Sequence, residues 1–178
     1  DDSELWRPAI EDHEQNFGLG DARNSLINAV RDSLEYCINL DPQCFSALYK
    51  ELEEKGWTIF RRLVLHIIRI FGHESTDLVE TYILNKNLLN DLRVRHEYMM
   101  LVRDYFSNLS KDNQKKFLDW IREGPKKIKK DDQADKTKEY WQLRWLTLLK
   151  GQLDQILENY RLDLLKKYNE PQHPDLLV

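Results

Sequence analysis

The chain has 178 residues, of which 41% are hydrophobic and 33% charged, with a formal net charge of −4. This length and apolar content suffice for one sizeable core or one continuous stack of helix pairs, and the charge balance places the chain away from disordered segments and strongly basic nucleic-acid binders. With only 6 Gly and 5 Pro and apolar residues in helical spacing, the sequence predicts helix throughout.

Helix-breaking and helix-capping residues divide the chain into about eight helices, the first of them weak. The weak helix covers 3–16 and contains Pro8. Asp21, Asp41 and Ser110 are predicted caps, and the polar segment 85–90 is predicted to be a turn. The further predicted helices are approximately 21–40, 42–55, 57–71, 75–84, 91–109, 111–123, 138–150 and 152–169.

Two of these helices carry apolar rows wide enough to require burial on more than one side. In 57–71 the rows include Ile67, and in 91–109 they include Leu101. A helix with so broad an apolar face belongs in the interior of a protein. We therefore expect these two helices to be the most buried.

Five tryptophans occur in the chain, and two of them, Trp141 and Trp145, lie four residues apart on one helical face. They could anchor a partner or pack against Trp120 of the preceding predicted helix. Packing in the core is the favoured interpretation. Between these helices, 124–137 is rich in Lys and Asp and lacks apolar periodicity, which predicts an exposed, protease-sensitive loop.

Short connections make successive helices antiparallel, so the sequence predicts an all-α fold of antiparallel pairs in a HEAT-like or armadillo-like right-handed stack. An irregular helical bundle is the alternative, because no strict repeat period is visible. We expect a single helical unit over 1–178, excised from a larger protein because it begins at Asp1 without Met. Its expected parts are an N-terminal arm 1–20, a first block 21–123, the loop 124–137, a helical pair 138–169 and a tail 170–178.

Cysteine usage and hydropathy bear on the compartment. Cys37 and Cys44 lack C-x-x-C spacing, which favours buried free thiols over a disulfide or a metal site. The longest apolar run, 63–71, is interrupted by His66 and Arg69, and no run reaches the roughly 18 residues of a membrane span. We expect a soluble cytoplasmic protein with no membrane partner.

A search for catalytic or cofactor-binding patterns gives little. The segment Gly18 to Gly20 lacks the lysine and third glycine of a phosphate loop, and the five histidines are scattered, so no cofactor, metal or catalytic residue is predicted. His66 is interpreted as a structural histidine without an obvious acid partner. Glu97 is expected to pair with Arg93, one turn back, and not with the adjacent His96. The sequence therefore does not predict an enzyme.

Basic residues are the candidate interaction site, since contacts to phosphates or to an acidic protein surface need only mobile cations. Asp131, Asp132 and Asp135 follow the lysine cluster and would cancel much of its field. A protein partner or neighbouring domain is favoured, and nucleic acid is the alternative. The candidate residues are Arg61, Arg62, Arg69, Arg93, Arg103, Lys126, Lys127, Lys129 and Lys130.

Three segments carry a resemblance to a known group of proteins: VRHEYMMLVRDYFSNL at 94–109, WIREGP at 120–125 with WQLRWL at 141–146, and NEPQHPD at 169–175. They resemble the helical-repeat region of large bacterial multidomain proteins, including STAND-type ATPases of defence systems. The resemblance covers 57–178 and implies a HEAT-like scaffold or sensor segment that works by protein–protein interaction. The alternative function is that of a nucleic-acid-binding helical repeat.

Overall fold

The computed structural model describes residues 2–13, 16, 21–126 and 133–171, and within these ranges it contains helices and no β-strand. The predicted all-α class is confirmed. None of the helices in the described residues combines the length and apolar character that crossing a bilayer requires. The α-helices are α1 (Ser3–Trp6), α2 (Ala22–Leu40), α3 (Phe45–Glu54), α4 (Thr58–Phe71), α5 (Thr76–Ile83), α6 (Lys86–Leu89), α7 (Arg95–Tyr105), α8 (Lys111–Glu123), α9 (Ala134–Leu148) and α10 (Gln155–Lys167).

Several helix boundaries differ from the prediction. The first helix ends at Trp6, because Pro8 disfavours helical backbone at the residue before it, and Arg7 is extended. The segment predicted as a turn at 85–90 contains α6, whose first turn is capped by the Asn85 side chain. Helix α9 begins at Ala134, four residues earlier than predicted. Of the predicted loop, residues 127–132 lie outside the described part of the chain.

Local capping chemistry explains where the longer helices start and stop. The side chains of Asp21 and Ser110 accept hydrogen bonds from the first turns of α2 and α8, and Asp41 caps the 3-10 turn Pro42–Cys44 that leads into α3. These three predicted caps are confirmed. Gly56, after α3, has a φ of 72°, a conformation that residues with a Cβ rarely adopt, and it allows the chain to turn sharply into α4.

The described residues form two compact units, with the boundary inside α7: residues 2–102 belong to unit 1 and residues 103–171 to unit 2. In unit 1, α3 and α4 form a hairpin around Gly56, and nine of the fourteen residues of α4 are buried. Six of the eleven residues of α7 are buried as well. Ile67 and Leu101 have no exposed surface, in agreement with the two helices predicted to be most buried.

Unit 2 is organised around α9, which runs antiparallel to both α8 and α10. The Gln142 side chain of α9 donates to the carbonyl of Ile121 at 2.9 Å and accepts from the Tyr160 hydroxyl at 2.8 Å. Phe117 packs edge-on against Trp145 with ring centroids 5.8 Å apart. Trp145 is buried, which confirms its predicted place in the core.

Candidate interaction surface

An N-terminal segment without regular secondary structure, residues 7–12, is held inside unit 1 by buried arginines. The Arg7 guanidinium donates to the Ile10 carbonyl at 2.7 Å and to the side chains of Asn28 at 2.6 Å and Asn24 at 3.2 Å. Burial, together with the nearby Arg31 and other cations, lowers the pKa of Arg7 to about 10. The arginine therefore remains charged at neutral pH and ties the segment to α2.

A deeply buried ion pair joins α4 to α7 in unit 1. Arg62 and Glu97 are 1% and 3% exposed, and the guanidinium contacts both carboxylate oxygens at 2.8 and 2.9 Å. The same pair holds the N-terminal segment, because Arg62 donates to the Pro8 carbonyl at 3.0 Å and Glu97 accepts from the Ile10 amide at 3.0 Å. Two-point contact of this kind is the strongest form of arginine–carboxylate pairing.

The expected pairing of Glu97 with Arg93 is wrong. Glu97 faces the interior of unit 1, where Arg62 of α4 reaches it. Arg93 lies in the 3-10 turn before α7 and folds back onto Asp91, at 2.9 Å. Asp91 also accepts from the Arg93 amide, so one carboxylate caps the turn and holds the arginine.

Two histidines lie beside carboxylates in the same region. His66 Nε2 is 2.7 Å from Glu35, an acid partner that the sequence did not reveal, and His96 Nε2 is 3.3 Å from Glu11. Glu11 also forms an ion pair with Arg69. The hydrogen bond with His96, followed by the charges of Arg69 and His96, lowers the pKa of Glu11 to about 2.

This cluster of acids and bases is packed and closed. The gap bordered by Glu11, His66, Arg69 and His96 is too narrow to admit a water molecule, whereas general acid–base chemistry needs a substrate within hydrogen-bonding reach. In the described residues, no group of three or more His, Cys, Asp or Glu side chains has an arrangement that could hold a metal ion. The geometry is that of a tie between the N-terminal segment and α4 and α7.

The described arginines of the predicted basic site each contact a carboxylate. Arg62 is buried, and Arg69 is mostly buried against Glu11. The exposed Arg61 lies 3.5 Å from Asp91, which it shares with Arg93. Local pairing of this kind leaves little unbalanced positive charge for a partner.

The predicted basic residues further along the chain are only partly described. Arg103, in unit 2, contacts Asp104 at 2.8 Å, and Lys126 is exposed. Lys127, Lys129 and Lys130 lie outside the described residues. The structure therefore does not describe the lysine cluster as a whole, and the proposed role of the cluster stays a prediction.

Helix α2 exposes an apolar face that the sequence analysis did not single out. The buried residues of α2, including Arg31, Leu34 and Ile38, face the core. At 100° per residue, the opposite side of the helix carries a row spaced by four and three residues. Leu26, Tyr36 and Leu40 in this row are 63%, 68% and 74% exposed. The row, here called the outward stripe, consists of Ala22, Leu26, Ala29, Ser33, Tyr36 and Leu40.

A groove of about 360 Å³ runs beside the outward stripe, between α2 and α3. Cys37 is exposed and Cys44 is partly buried, and both are free thiols, so the expectation that both are buried is wrong. The exposed Cys37 thiol is one of the groups that line the groove. The lining residues are Ala29, Val30, Ser33, Leu34, Cys37 and Leu48.

Comparisons with protein-family models, with curated proteins and with solved structures each gave no match to the chain. Function is therefore inferred from the geometry of the described residues. Among these features, the outward stripe and its groove expose contiguous apolar side chains to solvent.

Proposed function

We propose that the chain is a non-catalytic protein-interaction scaffold or sensor segment that binds a partner through the outward stripe and the α2–α3 groove. The observation that carries the proposal is the run of exposed apolar side chains on a helix whose opposite face is already in the core. A contiguous exposed apolar surface beside a groove is characteristic of binding sites for an amphipathic helix.

The placement of the ionisable groups supports a binding role over catalysis. Glu97 and Arg62 form an ion pair with each other. Glu11, in the N-terminal segment, contacts His96 and so holds that segment in place. These contacts make unit 1 a rigid support for α2, since Arg7 donates to Asn24 and Asn28 of that helix and Arg31 of the helix donates to the Ile10 carbonyl of the segment. A scaffold needs such rigidity so that binding does not require ordering of the site.

The helical architecture suits the same role. Antiparallel packing occurs at α3–α4 in unit 1 and at α8–α9 and α9–α10 in unit 2, as in proteins built from helical hairpins. We therefore extend the proposal to a HEAT-like or armadillo-like stack, as the resemblance to bacterial multidomain proteins implies. In that setting the partner is a protein or a neighbouring domain in the cytoplasm.

Site-specific photo-crosslinking in the native host tests the proposal. A benzoylphenylalanine at Ser33, in the outward stripe, is expected to give a discrete protein adduct. The same group at Asp77, an exposed position on α5, is the matched control. Absence of a protein adduct at Ser33, or equal capture at both positions, would contradict the proposal.

Nucleic-acid binding is the competing function, and it has a distinct signature. The arginine–carboxylate contacts argue against a continuous basic surface, and phosphate contacts would make affinity fall steeply with salt. Fluorescence anisotropy with labelled single-stranded and duplex RNA and DNA, at low and physiological salt, separates the two functions. Tight, salt-dependent binding that survives Leu26→Glu would favour nucleic acid.

A further inference from the structure

The structure points to a second copy of this chain as the occupant of the outward stripe: we infer that α2 pairs antiparallel with α2 of another molecule. This inference rests on the proposed function, because it names the partner of the same surface. The inference depends on the symmetry of the stripe. The stripe contains no charged residue, and when two copies of the helix lie antiparallel, each position of one stripe faces a position of the other.

The spacing of the stripe makes it self-complementary. Its positions are symmetric about Arg31, the midpoint of α2. In an antiparallel pair centred there, Leu26 of one copy faces Tyr36 of the other, and Ala22 faces Leu40. Ala29 faces Ser33 at the centre, where the two small side chains let the helices approach closely. Large residues therefore meet small or flat ones along the whole row, and close packing results.

Electrostatics favour the antiparallel orientation. The positive amino end of each helix would lie beside the negative carboxyl end of the other. Arg31, at the midpoint, points into its own unit, and Asp12 and Asp32 of the same chain compensate its charge.

The available area indicates a weak dimer. The 19 residues of α2 span about 28 Å, and one helix pair alone buries less than the roughly 1,200 Å² at which stable interfaces begin. The adjoining groove adds Val30, Cys37 and Leu48 to the contact. Association should therefore be reversible and dependent on concentration.

Sedimentation equilibrium of the full chain, from low micromolar to millimolar concentration, tests the inference. We expect a monomer–dimer equilibrium that Leu26→Glu and Leu40→Glu each weaken by at least about tenfold, because both introduce charge into the stripe. Leu92→Glu, at an exposed apolar position of unit 1 outside α2, is the matched control. Thermal melts verify that each variant folds. A chain that stays monomeric throughout, or an equal effect of Leu92→Glu, overturns the inference.

Disulfide trapping tests the orientation. In a Cys37→Ser, Cys44→Ser background, chains carrying Ala29→Cys are mixed with chains carrying Ser33→Cys under mild oxidation. The antiparallel register predicts mixed dimers well in excess of either homodimer, whereas a parallel pair would give homodimers. Dominant homodimers would contradict the proposed pairing.

Failure of this inference is distinguishable from failure of the proposed function. If Ser33 crosslinks to a different protein while the purified chain is monomeric, the second copy is excluded and the scaffold role stands. If Ser33 gives no protein adduct and the chain is monomeric, both fail.

Discussion

Replacing Glu97 with Gln should destabilise unit 1 more than any surface substitution. Glutamine keeps the shape of the side chain but removes its charge, so Arg62 is left buried without a counter-ion. Both groups are at most 3% exposed and share two contacts of 2.8 and 2.9 Å. Breaking one side of a buried pair typically costs about 3–5 kcal/mol, a large part of the 5–15 kcal/mol that holds a domain folded.

Urea unfolding followed by circular dichroism measures the loss, and hydrogen exchange at α4 amides reports unit 1 separately. The double variant Arg62→Met, Glu97→Leu should be more stable than either Glu97→Gln or Arg62→Met alone, because it leaves no unpaired charge. Arg93→Gln, whose side chain is 54% exposed, is the control and should cost at most about 1 kcal/mol. A loss below about 1 kcal/mol for Glu97→Gln would refute the claim that the Arg62–Glu97 pair is shielded from water and stabilises the fold.

Further predictions concern the same unit. The pKa of Glu11 is about 2 when folded, against an ordinary 4.5. Its carboxylate therefore adds stability that is fully present above pH 4.5 and is lost as the pH falls through 2. In urea titrations, Glu11→Gln should cost about 3 kcal/mol at neutral pH and progressively less as the pH falls below 4.5. Ile67→Ala and Leu101→Ala, at positions without exposed surface, should each cost about 2–5 kcal/mol by the same assay, and a loss under 1 kcal/mol would show that the site is not close-packed. Gly56→Ala should lower stability by about 1 kcal/mol because φ there is 72°, and an unchanged midpoint would contradict this backbone assignment.

The sequence was sufficient to predict features that depend on local chemistry. The caps at Asp21 and Ser110 follow from short side chains that accept hydrogen bonds from the first turn of a helix. Burial of α4 and α7 follows from apolar rows wider than one face. These signals involve residues a few positions apart, and they predict helices without requiring the tertiary arrangement.

Other features depend on contacts between distant residues and could not be predicted. In the sequence, Glu97 has a plausible partner one turn back in Arg93, and only the packing of α4 against α7 brings Arg62, 35 positions away, to its carboxylate. Helix α6 is a single turn that propensity alone does not support. It is stabilised by burial of Leu88 and Leu89 and by the Asn85 cap.

The outward stripe did leave a signal in the sequence. Between 21 and 40, apolar residues occur around most of the helix circumference, with Leu34 and Ile38 facing the core and Leu26 and Leu40 facing solvent. A wheel of this segment shows more apolar surface than one core can cover. Which side remains exposed depends on how α3 and α4 pack against α2, and the sequence pattern of α2 alone does not reveal that packing.

The central claim is that the outward stripe is covered by another protein in the cell, and the reactivity of Cys37 measures this most directly. The thiol is exposed in the groove, and the partly buried Cys44 is an internal reference in the same chain. Alkylation by N-ethylmaleimide, read by mass spectrometry, is compared between intact cells and dilute purified protein. We predict that Cys37 reacts several-fold more slowly in cells relative to Cys44, and that Leu26→Glu restores its reactivity. An equal ratio of the two rates in both settings would contradict the account.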